Sequence, residues 1–549
     1  MRMDRRRFLR SCTWAAACGA GLSAMGASMR RAQAADAAEG ARMGLRRFHL
    51  SISTDALEAD EELLDVVSAA GVTDVWLAGF LYGHWSYPIE SLVAWRGRVE
   101  AAGMAAHVIT VPLGHPGDSL GAMHGDIPLT PPSHWRMAVG PDGTQYSGTS
   151  LHAPATEENV AAVRAIRDAG FREIFLDDDF RLAPSPSVVG GCFCDEHKAR
   201  FLDARGYGEP EWEDLLDAVQ QRDPRPVLRE WVAFTCDELT GCFRAQQAAV
   251  PDVALGIMVM YLGSEKAGIR LDDYRDVPFR VGELMFSDAT FDPPKGKTDE
   301  LFSALFHRRY ARPELAYSET TAYPVAQLSP RNLAAKLAVS TITDCRNTML
   351  MSGLTTFPRD RWDPLASAIR THTALHPTVA GHRPRGPFKH YWGEAERLVG
   401  DDNPFSLWLA MGIPFEVCDA PPTSGWTFLG DADARDPGLG AKGDAATWFA
   451  RPGAARGTPG RTEQPEDLEA LFALKERLLP ELGATPHVVD ATPVVCAWYP
   501  SAEGVLLWNQ TSDARRVGLR VGNDVREISL DALGVAWVDD VRLPAPPEA

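Results

Sequence analysis

Three things are scarce in this 549-residue sequence: cysteine, positive charge and long apolar runs. Its nine cysteines are widely spread, with only Cys192 and Cys194 close in sequence, which speaks against a disulfide-built scaffold. Lys and Arg number 55 against 74 Asp and Glu, a formal charge of -19. Such an acidic surface disfavours nucleic acid and anionic membrane as partners, because phosphate binding needs concentrated Lys and Arg. No run of about 18 or more uncharged apolar residues follows the N-terminal region, so stable membrane insertion is not expected. A Ser-centred nucleophile elbow, a Walker loop and a dinucleotide glycine fingerprint are all missing from the strand–turn–helix contexts they require.

What is present begins with an export-like leader. Arg5, Arg6, Arg7, Phe8, Leu9 and Arg10 resemble the twin-arginine signal pattern. A soft Ala/Gly/Leu stretch follows, and Ala32-Gln33-Ala34 offers a small-x-small cleavage site. Residues 1–34 therefore read as a signal peptide, and the mature protein as periplasmic or secreted. Losing the leader's seven arginines and one aspartate takes the formal charge from -19 to -25. Twin-arginine export carries folded protein, so a metal or thiol site would be completed beforehand.

From Arg47 onward, short β-rich runs alternate with helix-length segments. The expected strands are Phe48–Ser53, Val75–Ala78, His107–Val111, Ile174–Leu176, Ala254–Tyr261, Val281–Phe286, Leu315–Ser318 and Thr348–Met351. Helical stretches separate them, among them Thr156–Ala169, Leu228–Ala248 and Pro330–Thr343. Eight strands, each followed by helical sequence, predict an α/β fold built on a (β/α)8 TIM barrel over residues 46–385. Residues 386–485 read as an α/β domain, with Asp431–Arg461 as Gly/Ala/Asp/Pro-rich surface loop and a closing helix at Pro465–Leu482. Residues 486–549 carry short β-runs and predict a small C-terminal β-sandwich.

In such a barrel, residues just beyond the carboxyl ends of the strands face the substrate. Asp177, Asp178 and Asp179 follow strand four, Asp288 follows strand six and Glu319 follows strand seven. Burying three consecutive acids at the end of an apolar strand needs partners or raised pKa values, which points to function over packing. Two carboxyl groups across a glycosidic bond can hydrolyse it if one is protonated, as acid, and the other ionised, as nucleophile or base. A separation of about 5 to 5.5 Å gives retention and about 6.5 to 9.5 Å inversion.

Cys192, Cys194 and His197 put two thiols and an imidazole within six residues, a credible zinc-binding set. No cysteine lies between Cys18 and Cys192, so a fourth ligand would be a histidine, an acid or water. The alternative is a pair of ordinary thiols beside an unrelated histidine. His115 and His152 follow strand-like runs and could hold sugar hydroxyls, while Trp76, Trp85, Tyr261, Phe286 and Tyr323 are candidates to stack on a sugar face or simply to pack the barrel rim.

The run Asp177-Asp178-Asp179-Phe180, followed by Cys192-Phe193-Cys194-Asp195-Glu196-His197 and Phe201, resembles glycoside hydrolase family 42 β-galactosidases. These belong to the clan of retaining (β/α)8 enzymes and carry Asp-Asn-Glu-aromatic after strand four. The resemblance implies Asp179 as acid/base, Asp178 beside the sugar 2-hydroxyl, and Glu319 of Tyr317-Ser318-Glu319 as nucleophile. It also implies a structural zinc near the active-site mouth, an amidotransferase-like trimerisation domain after the barrel, and a small β-domain beyond that. Two departures stand out. Aspartate for glutamate withdraws the acid by one methylene, about 1.5 Å, and Asp178 for asparagine adds a like charge that raises a neighbour's pKa.

The expectation is thus hydrolysis of O-glycosidic bonds in a carbohydrate, with no cofactor required for the chemistry and a possible structural zinc. Homo-oligomerisation, a homotrimer by the family's pattern, is expected to accompany it. Two alternatives stand beside it: an inverting or atypical hydrolase using Asp178 or Asp288, and a catalytically silent carbohydrate-binding barrel.

Overall fold

The computed structural model describes residues 46–113, 131–149, 151–177, 180–282, 287–322, 324–436, 439, 446–458 and 460–542. The expected leader, Asp178, Asp179, His115, Phe286 and Tyr323 lie outside the described residues.

Eight parallel strands close into a barrel: β1 (Arg47–Ile52), β2 (Asp74–Leu81), β3 (Ala105–Val111), β4 (Glu173–Leu176), β5 (Ala254–Val259), β6 (Phe279–Val281), β7 (Ala316–Thr321) and β8 (Asn347–Met351). Closure is direct, since β1 pairs with β8 at Arg47 and Asn347 and with β2 at His49 and Asp74. Helices follow the strands, for example Ala155–Asp168 before β4 and Pro226–Ala249 before β5. Leu50, Leu77, Val108 and Ile174 belong to the large apolar cluster that these strands share with the surrounding helices.

The opposite pleat faces form layers inside the barrel. Arg47, Asp74, His107 and Glu173 are linked at the amino-terminal end, where His107 Nε2 lies 2.8 Å from Asp74 Oδ1 and Arg47 Nη2 lies 3.2 Å from Glu173. Above them Trp76, Ile109, Phe175, Tyr317 and Met349 pack together, with Trp76 and Phe175 ring centroids 4.7 Å apart. Two residues further along β4 and β7 on the same face come Asp177 and Glu319. The barrel is therefore filled from below, and its acids form the uppermost layer.

Among the boundaries that differ from expectation, two bear on the site. Glu319 lies inside β7, opposite Met349 of β8, because β7 runs on through Thr320 and Thr321. Strand six is described over Phe279–Val281 and starts two residues earlier than expected, while residues 283–286 of the expected span lie outside the described residues.

Five more parallel strands follow: β9 (Phe388–Tyr391), β10 (Phe415–Cys418), β11 (Gly425–Leu429), β12 (Ala446–Ala450) and β13 (Arg461–Glu463), in the order β10-β9-β11-β12-β13. Asp431–Arg461, expected as surface loop, thus contains β12 and the helices Asp431–Ala434 and Pro452–Ala455. The closing helix is Leu468–Leu478, shorter than expected, with Asp467 accepting the Ala470 amide as its N-cap. At the C-terminus, two three-stranded antiparallel sheets share a core of Val488, Val494, Cys496, Val505, Leu519 and Leu530 among others. Among the described residues no helix is long and apolar enough to cross a membrane.

Candidate active site and a thiol–imidazole cluster

β4, β6 and β7 bring three charged side chains together. Asp177 follows β4 directly and is held there by its amide, which donates to the Thr110 carbonyl of β3 at 2.6 Å. Arg280 sits at the centre of β6, between Phe279 and Val281, which belong to the apolar cluster outside the barrel. The pleat therefore turns its guanidinium inward, 5.3 Å over the Phe175 ring. There Arg280 pairs with Asp177 through Nη2 and with Glu319 through Nε, the latter at 2.8 Å. Thr321 donates to the other Glu319 oxygen at 2.6 Å. Arg280, Asp177 and Glu319 are 0%, 3% and 5% exposed. Burial lowers the pKa of Arg280 below its ordinary value, and the neighbouring Glu319, then Tyr317, oppose that shift.

The remaining sequence candidates divide between open rim, barrel filling and structural ties. Trp85 stands in a two-residue strand against the end of β2, 39% exposed and edge-on to Phe80. Trp76 fills the barrel interior and donates its indole N–H to His49 at 3.0 Å, so its faces meet protein, not the mouth. Tyr261 is buried just past β5 beneath Arg181, whose guanidinium carbon lies 4.8 Å from the ring centre. Asp288 accepts the Ser329 amide and the Asn332 side chain, each at 2.8 Å, tying the loop after β6 to the loop after β7.

The second cluster corrects one assignment. His152, expected to hold a sugar hydroxyl, joins Cys192, Cys194 and His197, with all four donor atoms within 4.8 Å of one another. Cys194 Sγ lies 3.2 Å from His197 Nδ1 and 3.4 Å from His152 Nε2. The other His152 nitrogen faces Glu196 at 3.3 Å, and Glu196 pairs in turn with Arg136. Burial pushes the Cys192 thiol up to about 11 and the His197 imidazole down to about 4, so each favours its neutral form. The cluster fastens the hairpin Met137–Val139/Gln145–Thr149: the Phe193 amide donates to the Val139 carbonyl at 2.7 Å, and Tyr146 packs on Cys192. Gly191 lets the segment enter, because its φ of 115° lies in the left-handed region and a Cβ there would sit 2.8 Å from Trp231.

An open cavity of about 940 Å³ lies beside this hairpin, lined by Tyr146, Val189, Leu216 and Gln220 among others; none of Asp177, Arg280 and Glu319 lines it.

Sequence reasoning missed Arg280 and the place of His152 beside the two cysteines. A single arginine in the apolar run Val277-Pro278-Phe279-Arg280-Val281 was the available signal for the first. Nothing local connects His152 to a cysteine 40 residues later.

No protein-family model matches the chain, and no curated protein matches it in sequence. Solved structures do share its fold. A β-galactosidase from Rahnella sp. R3 superposes with a TM-score of 0.58 at 12% identity, covering 90% of this chain and 98% of that one. The β-galactosidase from Bacillus circulans sp. alkalophilus gives 0.57 at 12% identity, over 90% and 98%. That from the psychrophilic Marinomonas ef1 gives 0.55 at 10%, over 89% and 99%. The chain therefore shares the TIM-barrel fold of these structures, and the likeness runs well beyond the barrel.

Proposed function

We propose that this protein is an exported glycoside hydrolase in which Glu319 acts as nucleophile and Asp179 as acid/base. The observation that carries the reading is the position of Glu319: a carboxylate at the top of the filled barrel, with a buried guanidinium on one oxygen and a hydroxyl on the other. Both partners stabilise the ionised form, which is the form that attacks an anomeric carbon. Asp179, two residues past Asp177, would give the leaving oxygen its proton and then take one from the water that releases the sugar. Asp178 beside it, a like charge, would help keep that acid protonated. β-Galactosides are the first substrates to try, since the solved structures of like fold are named for that activity. Trp85 is the rim aromatic open to stack on a sugar.

Asp288 is a poor second carboxylate because one of its oxygens already accepts two hydrogen bonds. The silent carbohydrate-binding reading draws support from the burial of Glu319 and its ion pair with Arg280.

Cys192, Cys194, His152 and His197 would hold a structural zinc: two thiols and two imidazoles are the donor types and number that a structural zinc site uses, and Glu196 would orient His152 from outside. The role of these four residues would be to clamp the hairpin beside the barrel through the metal, with no chemistry supplied to the sugar. Export through the twin-arginine leader after folding, and a homo-oligomer formed through the domain after the barrel, complete the proposal.

A screen of aryl glycosides with analysis of the product anomer, repeated on Glu319→Gln and Asp179→Asn, tests it. Retained configuration and loss of turnover in both variants support the reading. Wild-type turnover in both variants defeats it, and binding of sugars without turnover by the wild-type protein selects the silent barrel.

A further inference from the structure

We infer that Arg280 is a positioning residue that joins β7 to β4 across the barrel mouth, fixing Glu319 of β7 and Asp177 at the end of β4. The inference rests on the role proposed for Glu319. It starts from an arginine that the barrel had no packing reason to bury. A fully buried guanidinium loses its hydration, and only well-placed anions offset that loss. Here it has two, on strands that are not neighbours: Asp177 on Nη2 and Glu319 on Nε. The planar fork presents its donors in fixed directions, so both carboxylates are oriented by one rigid group. Phe175 beneath the guanidinium sets its height in the barrel.

Among the described residues, Arg280 is the cation that pairs with Glu319. β8 offers Met349 and Met351 beside β7, and neither titrates. On its own strand Tyr317 lies one step lower, with its phenol pushed well above the ordinary value by burial. From β4 comes Asp177, whose charge would repel Glu319 if Arg280 did not lie between them. Thr321 adds a neutral donor. Removing the guanidinium therefore leaves two buried carboxylates facing each other, and one of them must take up a proton. Asp177 has a second function in this arrangement: it ties the backbone two residues before Asp179 to the same group that orients the nucleophile.

The test compares Arg280→Lys and Arg280→Met with the wild-type full-length chain on whichever aryl glycoside the wild type turns over. Lysine keeps the charge and loses the fork. It is expected to leave the acidic limb of the kcat/KM profile near its wild-type place while lowering kcat by about 10²-fold, the cost of a slightly misplaced reacting group. Methionine removes both, and the acidic limb should move to higher pH by about 1 unit or more. Added guanidinium should restore part of the activity of Arg280→Ala.

If the wild type turns over no glycoside, the ionisation of Glu319 is read without substrate. The stability difference between the wild type and Glu319→Gln is followed against pH, with Arg280 present and in the Arg280→Lys and Arg280→Met backgrounds. Wherever a cation is kept, in the wild type and in Arg280→Lys, the contribution of Glu319 should persist down to low pH; in Arg280→Met it should be lost at higher pH. Identical pH profiles in Arg280→Met and wild type, or identical stability curves in the two backgrounds, overturn the inference. Full activity of Glu319→Gln defeats the proposed function instead, and leaves the ionisation measurement to stand on its own.

Discussion

Two places in this chain gather buried acids at the carboxyl ends of parallel strands, and they resolve the same electrostatic problem differently. In the barrel, Asp177 and Glu319 share Arg280. In the five-stranded sheet, Glu396 and Asp433 meet at the crevice between β9 and β11, where the strand order reverses and such sheets commonly bind ligands. There each acid accepts a backbone amide from the other's loop: Asp433 from Gly393, and Glu396 from Ala432, both at 2.6 Å. Gly400 and Gly430 crowd the Glu396 carboxyl so closely that a Cβ at either would collide with it. Among the described residues no Lys or Arg pairs with either acid. Burial first, and then charge repulsion from Asp431 on Glu396 and from Glu396 on Asp433, raise both pKa values.

The difference teaches that strand ends collect acids for geometric reasons, while the presence of a cation decides what those acids can do. An acid paired with a guanidinium is favoured in its ionised form. Two buried acids with no cation paired to them are pushed toward their neutral forms, and here each latches the other's loop through a backbone amide.

The largest effect should separate the two pairs by activity. Glu319→Gln is expected to lower turnover on the order of 10³-fold or more, while Glu396→Gln leaves it unchanged; equal losses in aryl-glycoside assays would erase the distinction.

The next effect is on stability against pH. Glu396 is pushed up to about 7 and Asp433 to about 8, above the ordinary carboxylate range. A raised folded-state pKa means that the folded chain holds protons the unfolded chain has released, so stability falls as pH rises from that range through the folded values. Melting temperature should therefore decline between about pH 5 and about pH 8, a decline that Glu396→Gln and Asp433→Asn each flatten. Glu319→Gln should leave it in place. A wild-type melting temperature that is flat over this range would show that the pair carries no extra proton.

A smaller effect is expected at the tie between barrel loops. Asp288→Asn should cost about 1 kcal/mol of stability by weakening the bonds to Ser329 and Asn332, with turnover almost unchanged. Collapse of turnover in that variant, measured beside its unfolding curve, would return Asp288 to the chemistry.

Removing metal bears on a third region. Dialysis against a chelator should release about one zinc per chain and lower the melting temperature. His152→Ala should bind less zinc than the wild type, and metal analysis showing full zinc in that variant would remove His152 from the ligand set.

Periodicity and composition determined a good deal by themselves. Eight apolar runs separated by amphipathic stretches have one common closed solution, and Asp177 and Glu319 follow such runs, so their place at the barrel mouth was legible. The grouping of Cys192, Cys194 and His197 was legible too, because residues that close in sequence need little tertiary folding to be neighbours. β12 was hidden, because the Gly, Ala, Asp and Pro around it read as surface while its strand, Ala446–Ala450, is paired on both sides. Trp76 was ambiguous, since an aromatic in a barrel strand reads alike whether it fills the interior or lines the rim; its height among Phe175 and Tyr317 settled that.

Only the tertiary structure could bring Arg280 between Asp177 and Glu319, or His152 to Cys194. Those meetings depend on barrel closure, on the stagger of non-adjacent strands and on the path of a long loop, none of which leaves a period in the sequence. The scarcity of cysteine and of positive charge acquires its meaning there. Two of the cysteines stand beside two histidines, one of them distant in sequence, and one buried arginine pairs with both acids.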